Sequence, residues 1–292
     1  MDPLVVLFGF GVGILVGLTG IGGGSLMTPL LLLVGGYSPV VAIGTDLAYG
    51  AVTKTVGGWR HLRAGHVDLR LSWWLAAGSV PGSILGVVLL SNLHDRWGED
   101  FDPYLLAFVA AALMVAAGAT LYRAWFRPDM HRRERASAGL KRRRSKVATV
   151  AIGLVLGIIL GTTSVGSGAL VGLALIMVFR LTPHRVVGTD VFHAAIMLWA
   201  AGLTQLIVGN VNLSLMVNIL IGSLPGVYIG TLLLPRVPAN TLRPVLGCVL
   251  LGSSLGVLSK AGLAVPAYAI VGVPLLAGAL VYALRRPQAV IV

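Results

Sequence analysis

Two aspartates lie inside long apolar segments of this chain, and each ends the same tripeptide, Gly-Thr-Asp. These are Asp46 and Asp190, and because an acidic side chain in such a segment is costly, each is a candidate for function. Tyr49 and His193 follow three residues later on the same predicted helix face, where they could share a proton or donate to a substrate. The structural alternative is that the aspartates cap half-helices together with Thr45 and Thr189.

One basic side chain also falls inside an apolar segment. Lys54 follows Asp46 on the same predicted helix, so it is a candidate counter-ion for Asp46 or for an anionic substrate. The alternative is that its long stem lets the ammonium group reach the edge of a membrane. Thr45, Asp46, Tyr49, Lys54, Thr189, Asp190 and His193 therefore form a predicted coupling or gating set.

Two glycine clusters interrupt the longest apolar segments, one near residue 22 and one near residue 166. Free N–H groups where a helix restarts, near Ser25 and Ala169, would attract an anion, and glycine lets the anion approach the backbone. The predicted substrate-binding residues are Thr19, Gly22, Gly23, Gly24, Ser25, Thr163, Ser164, Gly166, Ser167 and Gly168. The alternative is that these glycines only allow helices to pack closely.

Enzyme and cofactor chemistry find little support in the sequence. Ser167 with His193 resembles no serine hydrolase, because the flanking residues lack the pattern of a nucleophile elbow. The glycines follow no predicted strand, which argues against a dinucleotide loop. Cys248 is the single cysteine, and the histidine spacing makes no metal cluster. We therefore expect no enzyme activity, no cofactor and no metal.

The composition defines the elements that must position these residues. Of the 292 residues, 57% are hydrophobic and 11% are charged, with a mean hydropathy of +0.91, whereas soluble domains carry about 25% charged residues. The fold class is therefore all-α, in a polytopic membrane protein. The net charge of +12 comes mainly from a stretch at 123–146 that holds ten basic and two acidic residues. We interpret it as a cytoplasmic loop, with anionic lipid or a regulatory partner as the alternative, and we expect no nucleic-acid binding.

The second half of the chain repeats the first at an offset of 144 residues. Four ungapped blocks align, GLTGIGGGSL with GTTSVGSGAL, AIGTDL with VVGTDV, GHVDLRL with GNVNLSL and GSVPGSILG with GSLPGVYIG, and 17 of 32 positions are identical. Residues 144 positions apart are called repeat mates below. Glycines at every fourth position in both halves, such as Gly9, Gly13 and Gly17, predict close helix packing.

Segment lengths and charges predict the topology. The apolar segments at 4–34 and 147–179 are too long for one span, so each is predicted to be a re-entrant hairpin, with arms at 4–18 and 26–34 in the first. This arrangement keeps six flanking arginines on the cytoplasmic side with the basic loop, namely Arg180, Arg185, Arg236, Arg243, Arg285 and Arg286. The prediction is two inverted repeats and about seven full spans, with the N-terminus outside and the C-terminus inside. The start of the chain lacks the basic region of a cleaved signal peptide.

The predicted units are a first repeat at 1–126, the basic loop at 127–146, a second repeat at 147–260 and an extra helix with a tail at 261–292. An internal duplication in a polytopic protein is typical of secondary transporters, whose substrate site lies between the repeats. An anion channel is the alternative, because re-entrant half-helices also line pores. The oligomeric state stays open, a homodimer included.

The motifs GLTGIGGGSLMTPLLL, AIGTDL and GGWRHLRAGHVDLRLSWWLAAGSVPGSILG resemble the TauE/SafE sulfite exporter family, also called the 4-toluene sulfonate uptake permeases. The resemblance covers about residues 4–260. The second copy departs from the first, with Ser167 for the middle glycine and Ala169 for the serine. The resemblance implies a bacterial inner-membrane carrier for a small sulfur-containing or carboxylate anion, such as sulfite, sulfonates or sulfoacetate, working as an exporter coupled to protons.

Overall fold

The computed structural model describes residues 3–19, 24–125, 146–181, 183–233 and 239–284. Within these ranges the chain forms eleven α-helices and one short 3-10 helix, and no strand occurs there. Almost all of the predicted basic loop lies outside the described residues, as do Gly22 and Gly23.

The first half holds five helices and the second half six. Their bounds are α1 Pro3–Thr19, α2 Gly24–Leu33, α3 Pro39–Arg63, α4 Leu69–Trp97, the 3-10 helix Gly98–Phe101, α5 Asp102–Trp125, α6 Lys146–Thr163, α7 Leu170–Met177, α8 Pro183–Val208, α9 Leu213–Leu233, α10 Ala239–Lys260 and α11 Ala267–Leu284. The second long apolar segment is interrupted as predicted, because α6 ends at Thr163 and the 8-residue α7 begins at Leu170. In the first segment the 10-residue α2 is a separate helix from α1, and residues 20–23 lie outside the described residues.

Matching polar caps begin the fourth helix of each half. Asp68 Oδ1 accepts a hydrogen bond from Leu71 N at 3.1 Å and starts α4. Its repeat mate Asn212 does the same for α9, accepting from Leu215 N at 3.0 Å. An oxygen at this position satisfies one of the free N–H groups of the first turn. The start of α4 and the start of α9 are therefore stabilised in the same way at equivalent positions of the two halves.

The described helices have the surface of a membrane protein. Four helical stretches are long and apolar enough to cross a bilayer, namely 69–122, which contains α4 and α5, then 146–163, 185–208 and 213–233. Large apolar side chains such as Ile207 and Leu276 are exposed, while many serines and threonines are buried. Because lipid favours apolar side chains outside, this is an all-helical, multi-pass membrane protein. The 18-residue α6 is itself long enough to span, so re-entry and the count of seven spans stay predictions.

Glycine seams join the two halves. Gly9, Gly13 and Gly17 of α1 face the backbone of Ile219, Ser223 and Val227 on α9, and a Cβ atom built on Gly13 would lie 2.5 Å from the Ser223 carbonyl oxygen. The repeat mates Gly153, Gly157 and Gly161 of α6 face Leu75, Ser79 and Ser83 on α4 in the same way. The predicted close packing is confirmed, since no side chain fits between these backbones.

Other contacts between the halves also recur at the offset of 144 residues. Thr45 Oγ1 accepts a hydrogen bond from Asn212 N, and the repeat mate Thr189 Oγ1 accepts one from Asp68 N, both at 3.0 Å. Helices α3 and α8 are antiparallel neighbours, because Gly50 contacts Leu198 whereas Gly58 contacts Phe192. In the α5–α10 pair, Ser254 Oγ donates to the carbonyl of Ala110, its own repeat mate, at 2.8 Å.

A matched pair of substitutions on α1 tests the glycine seam. Gly13→Leu must force the α1 and α9 backbones apart, and we expect it to destabilise the protein by at least about 1–3 kcal/mol, which is the usual cost of overpacking. Gly11→Leu is the control, because no described atom lies within 4 Å of a Cβ atom at Gly11. The measurement is thermal unfolding in detergent, and equal melting temperatures for the two variants would contradict the seam.

Candidate functional site

Asp46 belongs to α3, and its carboxylate lies against the first turn of α2, inside the protein. Its Oδ2 accepts hydrogen bonds from Thr28 Oγ1 at 2.5 Å and from Ser164 Oγ at 2.9 Å. A Cβ atom built on Gly24 would lie 3.4 Å from the same oxygen. The side chain is fully buried, and Asp46 Oδ1 has no hydrogen-bond partner among the described residues. Oδ2 therefore has two hydrogen-bond donors, whereas Oδ1 can still accept a hydrogen bond or a proton.

The chain between α6 and α7 links Asp46 to Asp190. Ser164 Oγ bonds Asp46 at one end of this segment, and the Gly168 N–H donates to Asp190 Oδ1 at 3.2 Å at the other. The four peptide steps between them span at most about 14 Å. Ser164, at φ +57°, and Gly168, at φ +95°, both adopt left-handed backbone. The break thus brings the two predicted carboxylates close to one polar segment.

The start of α7 is largely satisfied by its own loop. The Gly166 carbonyl accepts from Leu170 N at 3.0 Å and from Val171 N at 3.1 Å. At the start of α2, in contrast, Ser25 Oγ is 1% exposed and has no partner among the described residues. Its repeat mate is Ala169, which has no hydroxyl. A buried hydroxyl without a partner is costly, so the first turn of α2 has unused donor capacity for a ligand.

Side chains at the two ends of α2 match its helix dipole. The Asp46 carboxylate lies at its first turn, and Lys260 Nζ donates to the Leu32 carbonyl at 2.5 Å in its last turn. An anion at the N-terminus and a cation at the C-terminus both match the helix dipole. Residues that lie far apart in sequence therefore complement the dipole of this short helix.

Lys54 is associated with Asp190 and not with Asp46. The ammonium group is buried, its side chain is 6% exposed, and Nζ has no hydrogen-bond partner within the described part of the chain. The charge of Asp190 acts on Lys54, and Lys54 in turn acts on His193. Of the two counter-ion partners predicted for Lys54, the Asp46 carboxylate is thus the less favoured. The two aspartates, equivalent in sequence, have different electrostatic surroundings.

The predicted proton partners of the aspartates, Tyr49 and His193, face serines of other helices. His193 Nε2 and Ser79 Oγ on α4 are 2.8 Å apart. Tyr49 faces Ser223 on α9, the repeat mate of Ser79, although neither hydroxyl makes a hydrogen bond of good geometry in the described structure. Tyr49 lies within electrostatic range of Asp46. These pairs join α3 and α8 to the glycine seams, and their roles in coupling stay predictions.

Several predicted hydroxyls have structural bonds. Thr163 Oγ1 donates to Ile159 O at 2.6 Å and accepts from Val165 N at 3.1 Å, so it shapes the break. Thr45 and Thr189 hold the loops of the opposite half, as described above. This supports the structural alternative for the threonines, although the contact is with a loop and not a cap of their own helix.

The structure brings together most of the predicted residues that it describes. Gly24, Ser25, Asp46 and the 163–168 segment form one buried polar cluster, while Lys54, Asp190 and His193 form an adjoining group. Gly22, Gly23 and the side chain of Thr19 lie outside the described part. No cluster of three or more histidine, cysteine, aspartate or glutamate side chains suited to a metal occurs among the described residues.

Sequence reasoning missed four residues of this region. Ser79 and Ser223 are repeat mates inside the blocks GSVPGSILG and GSLPGVYIG, so their recurrence could have identified them. Thr28 has Gly172 as its mate and carries no repeat signal. Lys260 lies more than 200 residues from α2, and no local pattern connects the two.

The fold and the site together define a polytopic membrane protein with a buried polar centre between its halves. The sequence pattern of the family described as "Sulfite exporter TauE/SafE" matches residues 5–257. The chain belongs to this family, as its motifs predicted, and it is a membrane transporter.

Relatives with assigned names agree with this class. The Bacillus subtilis protein named probable membrane transporter protein YjnA is 35% identical over 87% of this chain and 99% of its own length. YdhB of the same organism, with the same description, is 27% identical over 85% of this chain and 99% of its own length. A probable membrane transporter protein of Xylella fastidiosa strain Temecula1 is 28% identical over 88% of this chain and 96% of its own length. No solved structure matches the chain.

A double-mutant cycle tests which carboxylate is the partner of Lys54. Lys54→Met leaves Asp190 without its nearby cation, and we expect Lys54→Met with Asp190→Asn to unfold at a higher temperature than Lys54→Met alone. Residues that interact directly typically show coupling of about 0.5–3 kcal/mol. The control cycle pairs Lys54→Met with Asp46→Asn, for which the effects should add. Equal coupling in both cycles, measured by thermal unfolding in detergent, would contradict the assignment.

Proposed function

We propose that this protein is a secondary transporter that moves a small sulfur-containing anion, such as sulfite, a sulfonate or sulfoacetate, across the bacterial inner membrane. The proposed process is proton-coupled export by alternating access. The observation that carries the proposal is the buried first turn of α2, where the Ser25 hydroxyl has no described partner and Asp46 Oδ1 can take up a proton. The name of the family, sulfite exporter, supports the substrate class.

The chemistry of the polar cluster suits an oxyanion. The first N–H groups of an α-helix have no partner within the helix and bind negative charge. Ser25, Ser164 and Ser167 add hydroxyl groups beside this turn or in the adjoining break, where Ser167 is also buried. Lys54 supplies one buried positive charge. Tetrahedral or trigonal oxyanions accept several such hydrogen bonds at once, which favours them over a cation or an apolar solute.

Alternating access is supported by the contacts that recur 144 residues apart. We propose that the two halves are inverted repeats, so that the contacts made by one half on one side of the membrane can be made by the other half on the opposite side. The reciprocal seams α1–α9 and α4–α6 and the α3–α8 pair are consistent with this. The proposed re-entry of α1–α2 and α6–α7 places both breaks within the membrane.

The proposed orientation puts the C-terminus, the basic 127–146 loop and the end of α3 in the cytoplasm, and the N-terminus outside. Three basic side chains, Arg60, His61 and Arg63, end α3. Cytoplasmic loops carry an excess of lysine and arginine, which supports this side as the inner one. The same positive charge would draw an anionic substrate toward the inner opening, as expected for export.

A binding screen tests the substrate class, and a matched serine pair tests the site. Sulfite, short sulfonates, sulfate and small carboxylates are added to the purified protein, and the correct anion should raise its melting temperature. Ser25→Ala should weaken the binding of that anion about tenfold to hundredfold, because a hydrogen bond to a charged group contributes about 1.5–3 kcal/mol. Protein stability without the anion should be unchanged, since Ser25 has no described partner to lose.

Ser254→Ala is the control for Ser25→Ala. It removes the buried hydrogen bond between α10 and α5, so it should lower stability and leave anion affinity unchanged. No stabilisation by any of these anions would count against an anion site. If Ser25→Ala bound the anion with unchanged affinity, the first turn of α2 would not be part of the anion site.

Transport measurements in liposomes test the proposed mechanism. Saturable uptake with counter-flow is expected for a carrier, whereas single-channel currents would favour an anion channel. At least one of the variants Asp46→Asn and Asp190→Asn is expected to change the dependence of transport on the pH gradient. Transport by both variants at the original rate and with the original pH dependence would exclude both carboxylates from coupling.

A further inference from the structure

An ionised Asp46 and a bound anion would compete for the same place. The carboxylate already lies against the first turn of α2, with Thr28 and Ser164 donating to Oδ2. The anion proposed above would bind at the same turn, beside Ser25. Two negative charges a few ångströms apart in a buried site cannot both be stable, as paired carboxylates show. One of them must therefore be neutralised when the other is present.

Asp190 is not in the same situation. It has the Lys54 ammonium within electrostatic range and accepts a hydrogen bond from the Gly168 N–H. A nearby cation keeps a carboxylate charged. In addition, the first N–H groups of α7 are already bonded to Gly166. The competition between carboxylate and anion thus falls on Asp46 alone.

The groups that face Asp46 are neutral. Helix α2 presents Thr28, the α6–α7 segment presents Ser164, and α3 itself presents the phenol of Tyr49. Helix α9 contributes Ser223, which faces Tyr49. The titratable groups Lys54 and His193 lie with Asp190 in the adjoining group. Within the described part of the chain, no neighbouring cation neutralises Asp46, so the neutralising charge must come from solution.

The two carboxylate oxygens of Asp46 have different surroundings. Oδ2 is held by two donors, whereas Oδ1 is buried without a described partner. A proton can bind at Oδ1 without breaking either hydrogen bond. The resulting carboxylic acid has an O–H donor there, and a buried donor needs an acceptor. An oxyanion at the first turn of α2 supplies that acceptor.

We propose that Asp46 couples protons to the anion by occupying the anion's place: ionised, its carboxylate excludes the substrate from the first turn of α2, and protonated at Oδ1, it donates a hydrogen bond to the bound oxyanion. This inference rests on the proposed function and adds the residue, the atom and the stoichiometry. One proton is taken up from solution for each anion bound, and both are released on the other side.

The coupling has a defined direction. The proton and the anion move the same way, and the empty carrier returns with Asp46 ionised. For a monovalent anion this cotransport is electroneutral, and because an inward proton gradient opposes it, export is driven by a higher anion concentration inside. For a divalent anion one net negative charge crosses with the proton, so a membrane potential that is negative inside favours export.

The test is anion binding as a function of pH with a probe whose own charge is constant, namely ethanesulfonate, on the full-length purified protein. Protonated Asp46 is the binding form, so its fraction falls as pH rises. The Kd of the original protein should therefore increase tenfold per pH unit once Asp46 is ionised. A pH indicator dye should report one proton taken up per ethanesulfonate bound, a measurement that needs no variant.

Two variants separate Asp46 from Asp190. Asp46→Asn keeps a neutral side chain, so its Kd should be independent of pH and, at pH 8, at least tenfold lower than that of the original protein, with no proton uptake. Asp190→Asn should retain both the pH dependence and the proton uptake.

The outcomes distinguish this inference from the proposed function. Ethanesulfonate binding with a pH-independent Kd and no proton uptake would overturn the coupling role of Asp46 and leave the anion site standing. Loss of proton uptake in Asp190→Asn but not in Asp46→Asn would move the role to Asp190 and overturn the inference. No binding of ethanesulfonate, sulfite or sulfate at any pH would overturn the anion site and the inference together.

Discussion

Close contact between the backbones of the two halves is the constraint on which this structure depends. Glycines on α1 and α6 allow these helices to touch α9 and α4 so closely that a methyl group would not fit. In lipid, helices gain little from burying apolar side chains against one another, so tight backbone packing provides much of the association. Helix α6 leads from its seam directly into the 163–168 segment, so this packing holds the segment against Asp46. The polar cluster at Asp46 is a consequence of that placement.

The break between α6 and α7 raises a second requirement, which is that every buried backbone group freed by the break must find a partner. This break meets it internally, through Gly166, Thr163 and Asp190. Helix α2 instead has contacts to other elements at both ends: Ser164 from the other half contacts its first turn, and Lys260 donates to its last turn. A helix held by residues of other elements can change its contacts when those elements move, which is consistent with the anion site proposed at α2.

Much of the class and the architecture could be predicted from the sequence. Composition identified a helical membrane protein, and the glycine pattern predicted seams that the structure confirms. Burial of Asp46, Lys54 and Asp190 agrees with their position in apolar segments. The partners of these residues could not be predicted in this way. Tyr49 and His193 share a helix face with the aspartates in sequence, yet the structure directs them toward serines on α9 and α4. Helical spacing shows which side chains share a face, but not which helix that face meets.

The sequence alone determined that two equivalent carboxylates lie in apolar segments, because the repeat at 144 residues places Asp46 and Asp190 in the same motif. Only the tertiary structure decided that they are unequal. Asp190 has Lys54 within electrostatic range, although Lys54 belongs to the half that contains Asp46, because α3 and α8 run antiparallel and side by side. Asp46 is left with hydroxyl groups from α2 and from the other half. Charge interactions depend on distance in space. Lys54 has Leu198 as its repeat mate, and only the folded chain shows that this difference between the halves places a cation near Asp190.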